Sequence, residues 1–138
     1  MMRESQGYYS LVQYAEFPER AEYVNIGVVL FADARPYVFI KFSESARRAE
    51  RAFNVHLGNH FRHLQASMKS RLRVEFGEGW NKESIEKFAS MRSGKIRLSP
   101  LRSVLSREPE EVLDGLFERL VGDVPRMKRG RRPSSKVA

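Results

Sequence analysis

The stretch Glu22-Tyr23-Val24-Asn25-Ile26-Gly27-Val28-Val29-Leu30-Phe31 limits what this 138-residue chain can fold into more than any other. β-Branched and aromatic residues dominate it, which favours an extended backbone. Its even positions, Val24, Ile26, Val28 and Leu30, read as one unbroken aliphatic face, and its odd positions add Tyr23, Val29 and Phe31. A strand that is apolar on both sides must be covered on both, so the pattern predicts the central strand of a sheet. Asn25 and Gly27 interrupt it. A buried amide without partners costs ~1–3 kcal/mol, so Asn25 is expected to be engaged. It either ties down the turn at residues 17–20 or a neighbouring helix end, or it faces a ligand or partner together with Tyr14 and Glu22. Gly27 permits close packing or a bulge.

Around that strand the periodicity predicts two more. Residues 8–16 alternate in bulk and are rich in β-formers, and residues 37–42 follow the turn Asp33-Ala34-Arg35-Pro36. Such short connections favour antiparallel neighbours. From Ser43 the period becomes helical. Ser43 is placed to cap a helix carrying Ala46, Ala49 and Phe53, and Gly58-Asn59 interrupts it. A second helix over 59–74 stacks Phe61, Leu64, Met68 and Leu72, and a third begins near Asn81. Residues 95–98 and 103–105, divided by Ser99-Pro100, offer a fourth strand. The last helix has Pro109 at its first position, Glu110 and Glu111 at its positive end, and an apolar stripe from Val112 to Val121. The expected fold is α+β: a three- to four-stranded, mainly antiparallel sheet with amphipathic helices packed on one face. Residues 1–7 read as a flexible leader, 8–124 as one domain and 125–138 as a flexible basic tail.

Charge separates the tail from the body. Arg126, Lys128, Arg129, Arg131, Arg132 and Lys136 occur there without an acid; removing these six from 25 basic residues leaves 19 against 17 acidic ones. The body is therefore nearly neutral but polarised along its length. Residues 41–73 are strongly basic, and residues 108–123 strongly acidic. With no cysteine, disulfides, thiolate metal sites and cysteine nucleophiles are excluded. The longest apolar run, 26–32, is strand-sized, so no membrane span is expected, and a cytoplasmic location suits the composition.

Three sets of residues carry the resemblance to a known family. They are Tyr8-Tyr9-Ser10-Leu11-Val12-Gln13-Tyr14, the run Glu22-Tyr23-Val24-Asn25-Ile26-Gly27-Val28-Val29-Leu30-Phe31, and the late segment from Ile96-Arg97-Leu98-Ser99 through Glu108-Pro109-Glu110 to Leu116-Phe117. Together they resemble the bacterial domain of unknown function 3037, from Tyr8 to about Gly122 and excluding the tail. The resemblance brings no assigned catalytic residue and no cofactor. Some members are encoded beside HipA-like serine/threonine kinases, which implies a role through a partner protein, with such a kinase as the candidate.

Candidate sites follow in three groups. Tyr14, Glu22, Asn25 and Gly27 are candidates for a ligand or partner. Arg47, Arg48, Arg51, Arg62, Lys69, Arg71 and Arg73, with Lys128, Arg129, Arg131 and Arg132 of the tail, could hold nucleic acid by counterion release; a solvated, ion-paired helix face is the alternative. His56, His60 and His63 have metal-ligand spacing if one helix carries all three, but Gly58-Asn59 falls between the first two. Glu16, Glu19 and Glu22 flank one turn and could form the carboxylate cluster of a metal-assisted nuclease or other hydrolase. No phosphate-binding glycine loop or nucleophile elbow is present. An interaction module without catalysis is the leading reading, ahead of nucleic-acid binding and hydrolysis.

Overall fold

Ser5–Tyr14 (β1) and Val24–Phe31 (β2) pair antiparallel at the middle of a five-stranded sheet in the computed structural model, which describes residues 5–90, 94–106 and 108–122. Val38–Phe42 (β3) pairs with the far side of β2. The other edge of β1 is shared by Ile96–Leu98 (β4) and Arg102–Ser106 (β5), both antiparallel to it. The class is α+β, as the periodicity predicts, with a larger sheet. β1 begins at Ser5, so residues 5–7, expected in the leader, belong to the sheet. The tail at 125–138 lies outside the described residues.

The expected fourth strand is two strands because of Ser99-Pro100. Proline has no N–H to donate to a ladder, and three residues, 99–101, span on this edge what residues 10 and 11 span on β1. Ser99 mends the gap. Its N–H donates to the Leu11 carbonyl at 2.8 Å, its Oγ accepts the Leu11 N–H at 2.8 Å, and its carbonyl accepts the Ser10 hydroxyl at 2.7 Å.

A second irregularity lies in β2. Val12 pairs with Gly27 but Gln13 with Asn25, which leaves Ile26 as an extra residue, a β-bulge. Alternation therefore reverses there. Val24 and Ile26 face the same side as Val29 and Phe31, whereas Val28 and Leu30 face the other. The even positions thus do not form the single aliphatic face expected from the sequence.

Helices lie on both faces, not one. Arg47–Phe53 (α1), Asn59–Phe76 (α2) and Lys82–Ser90 (α3) cover Val12, Tyr14, Ile26, Val29 and Phe31 with Ala49, Phe61, Met68, Leu72, Phe76, Ile85 and Phe88. Pro109–Leu120 (α4) covers Val28 and Leu30 with Leu113, Leu116 and Phe117, and Val121 follows it into the same cluster. The physical reason is that both sides of β2 are apolar and each must be removed from water.

Edge-to-face aromatic pairs run through the larger layer. Tyr8 meets Trp80, Trp80 meets Phe31, Phe31 meets Phe76 and Phe76 meets Phe88, with centroids 5.4–6.1 Å apart. The Trp80 indole N–H donates to the Ala32 carbonyl at 2.7 Å and fastens the α2–α3 loop to the end of β2.

Side-chain capping is seen at the start of α3. Asn81 and Ser84 cap α3 reciprocally: the Ser84 N–H donates to Asn81 Oδ1 at 2.7 Å and the Asn81 N–H to Ser84 Oγ at 3.1 Å. Ser43, expected to cap the first helix, does not. That helix starts at Arg47 behind Ala46, and the Ser43 N–H instead prolongs the sheet by donating to the Ile26 carbonyl at 2.7 Å. No helix among the described residues is long and apolar enough to cross a membrane.

Candidate functional site

The four ligand or partner candidates fall in separate places. Asn25 lies on the α4 face. Its Nδ2 donates to the carbonyl of Leu120 at 3.1 Å, in the last helical turn, where carbonyls lack an intrahelical partner. Its Oδ1 accepts from Gln13 Nε2 at 2.9 Å. Gln13 Oε1 in turn accepts from Arg97 Nε at 2.9 Å, and the Arg97 guanidinium sits 3.8 Å from the Tyr23 ring centroid. A polar chain thus crosses β4, β1 and β2 and ends on α4. Of the sequence alternatives for Asn25, attachment to a helix end is the one seen. Gln13 and Arg97 were not singled out from the sequence; the cross-strand pairings that bring them together are tertiary.

Tyr14 occupies the opposite face. Its ring is fully buried against Phe53 and Phe61, and its hydroxyl donates to Glu16. Glu16 also receives Lys95 Nζ at 2.9 Å. Burial, then the Glu16 carboxylate, push the Tyr14 phenol well above its ordinary value, so it remains a donor. The Tyr14 hydroxyl, then Lys95, hold the Glu16 carboxyl below the usual carboxylate range. Glu22 is exposed before β2, and Gly27 is packed rather than open: a Cβ there would lie 2.6 Å from the Phe42 ring and 2.9 Å from the Lys41 carbonyl.

The basic residues are split as well. On α2, Arg62, Lys69 and Arg73 share one stripe by their spacing of seven and four, while Arg71 lies across the helix with its guanidinium 5.1 Å from the Phe88 ring centroid. Arg47, Arg48 and Arg51 are exposed on α1, where the Arg48 guanidinium comes close to Gly122 after α4. Lys128, Arg129, Arg131 and Arg132 lie outside the described residues.

The histidines do not share a helix. His56 stands in the α1–α2 loop 3.6 Å from Glu50, and His60 and His63 are exposed on α2. Glu50 itself fastens that loop. Its carboxylate accepts the Leu57 N–H at 2.7 Å, which is the main reason its carboxyl is held below the usual range. Glu19 and Glu22 are exposed, while Glu16 is engaged with Tyr14 and Lys95. Among the described residues no group of three or more histidine or carboxylate side chains could hold a metal ion.

Two surface features come from the tertiary structure. One is a cleft of about 470 Å³ between the β2–β3 turn and the start of α4, with Ala32, Ala34, Pro36, Phe39 and Pro109 giving it apolar walls. Asp33, Glu108, Glu110 and Glu111 also line it, with Arg35 as its one basic residue among the described residues. The other is β5, a sheet edge whose charge is confined to Arg102 at its start and on which Leu105 is 61% exposed. The sequence offers residues 103–105 as part of one fourth strand; that they form a separate strand ending the sheet is a tertiary fact.

The fold and these features define an α+β domain with a five-stranded antiparallel sheet, helices on both faces, and its polar side chains spent largely on joining elements. The chain belongs to the protein of unknown function family DUF3037, whose model matches residues 9–121. No curated protein and no solved structure matches it.

Proposed function

We propose that this domain is a non-enzymatic interaction module that works through a partner protein, and that the partner adds a strand to the outer edge of β5. The observation that carries this reading is the state of that edge. Natural sheets blunt their edges with lysine, proline, bulges or covering loops, because unpaired N–H and C=O groups template association. β3, the opposite edge, carries Lys41 in a salt bridge to Asp114 at 2.9 Å. β5 carries its one charge at its first residue, Arg102, leaves Ser103–Ser106 uncharged and exposes Leu105. Strand addition would use the backbone for affinity and a pocket for Leu105 for selectivity. The partner that the family resemblance suggests is a HipA-like kinase.

The test is co-expression of the full chain with a kinase of that kind, followed by nuclease treatment and size-exclusion chromatography. A 1:1 complex is expected to persist for the natural chain and to be lost for Leu105→Lys, with unchanged melting of the isolated variant. Absence of a complex, one that nuclease dissolves, or a β5-mediated homodimer that excludes the kinase would overturn the reading.

Nucleic-acid binding has one observation in its favour, the stripe of Arg62, Lys69 and Arg73 on α2. Three phosphate contacts would give a log-log salt slope of about −3. Changing these three residues to glutamate in the full chain should lower the slope by about that amount; an unchanged slope would assign any such binding elsewhere.

A further inference from the structure

We propose that the chain's own basic segment, Arg126 to Lys136, docks along the outer stripe of α4 and into the cleft at the start of that helix. This is independent of strand addition at β5, which lies at a different edge.

The groove and its occupant match in charge, reach and shape. Along α4, Glu110, Glu111, Asp114 and Glu118 are all exposed. At 100° per residue they fall within an arc of roughly 100° on the side opposite Leu113, Leu116 and Leu120. That stripe leads into the cleft, where Asp33 and Glu108 join Glu110 and Glu111. Among the described residues the opposing cations nearby are few. Lys41 is bound to Asp114 at 2.9 Å, Arg35 to Glu78 at 3.2 Å, Arg48 comes close to Gly122 past the helix end, and Arg119 lies about 80–100° from Glu111 and Glu118 around the helix. The surface is therefore left with an excess of carboxylates. Against it stand six cations without an acid in residues 125–138.

Reach favours the contact. The segment begins six residues past Leu120, where α4 ends, and the twelve residues of α4 extend about 18 Å at 1.5 Å each. An extended chain covers that in roughly six residues, so residues from about Lys128 onward arrive at the cleft. Being tethered, they do so at an effective concentration on the order of millimolar. The apolar walls of Ala34, Pro36, Phe39 and Pro109 suit the aliphatic stems of arginine and lysine, which cover apolar surface while their heads reach carboxylates. The contact neutralises the tail in place, so a polyanion must compete with α4 for it.

The full chain tests this in two ways. Zero-length carbodiimide coupling at low salt, read by mass spectrometry on mixed heavy- and light-labelled protein, should join Lys128 or Lys136 to Glu110, Glu111 or Glu118 within one copy. These links should disappear at about 0.5 M salt, where the screening length falls to a few ångström. Separately, changing Lys128, Arg129, Arg131 and Arg132 to serine should move the amide resonances of Ala34, Glu111 and Asp114, and salt should move the natural protein's resonances in the same direction. Links found only between copies, no links to these carboxylates, or α4 resonances indifferent to the serine changes would overturn the proposal.

Discussion

A single side chain's job here depends on what the neighbouring strand brings to it. Ser43 illustrates this: its sequence context is that of a helix cap, yet it is 4% exposed and its hydroxyl has no hydrogen-bond partner among the described residues. Ser43→Ala should therefore be neutral or raise the unfolding free energy by up to ~1 kcal/mol, since a buried hydroxyl without a partner carries a desolvation cost. A capping serine would instead lose about 1 kcal/mol; denaturant unfolding distinguishes the signs. Glu16 gives the pH-dependent counterpart. Because its folded carboxyl titrates below the ordinary value of 4.5, its stabilisation is present above that value and is lost as pH falls through the lower, folded one. The unfolding free energy of the natural protein should fall more steeply below about pH 4.5 than that of Glu16→Gln. Parallel curves would remove Glu16 from the account.

At the scale of elements, the joints matter more than the elements. The β4–β5 edge holds its place on β1 through Ser99, whose hydroxyl accepts the Leu11 N–H where Pro100 interrupts the ladder. Ser99→Ala should cost on the order of 1 kcal/mol by leaving the Leu11 N–H without that acceptor. Hydrogen exchange should show the Leu11 amide losing protection first; no change there would mean that water substitutes without penalty. The bulge at Ile26 does comparable work on β2, turning Asn25 toward α4 while Val24 and Ile26 stay with the larger core. Asn25 and Gly27 marked the spot in the sequence, but the reversal of alternation is visible only against β1.

For the whole molecule, the expectation is that stability resides in the body. Removing residues 125–138 should change the unfolding free energy by less than about 1 kcal/mol, as expected when surface charges alone are lost; a larger drop in a denaturant melt would show that the tail belongs to the core. By itself the sequence determined the α+β class, the order of strands and helices, the antiparallel meander of the first three strands, and the polarity of the charge. These follow from local periodicity, proline and glycine positions and composition, which need no partner to be read. Only the tertiary structure decided that β1 would collect a two-part edge, that α4 would take the face opposite the other helices, and that Asn25 and Tyr14 would lie on opposite sides of one sheet. Each of those depends on register and packing between residues distant in the chain. A one-residue slip at Ile26 exchanges the faces of a strand while leaving its sequence pattern unchanged.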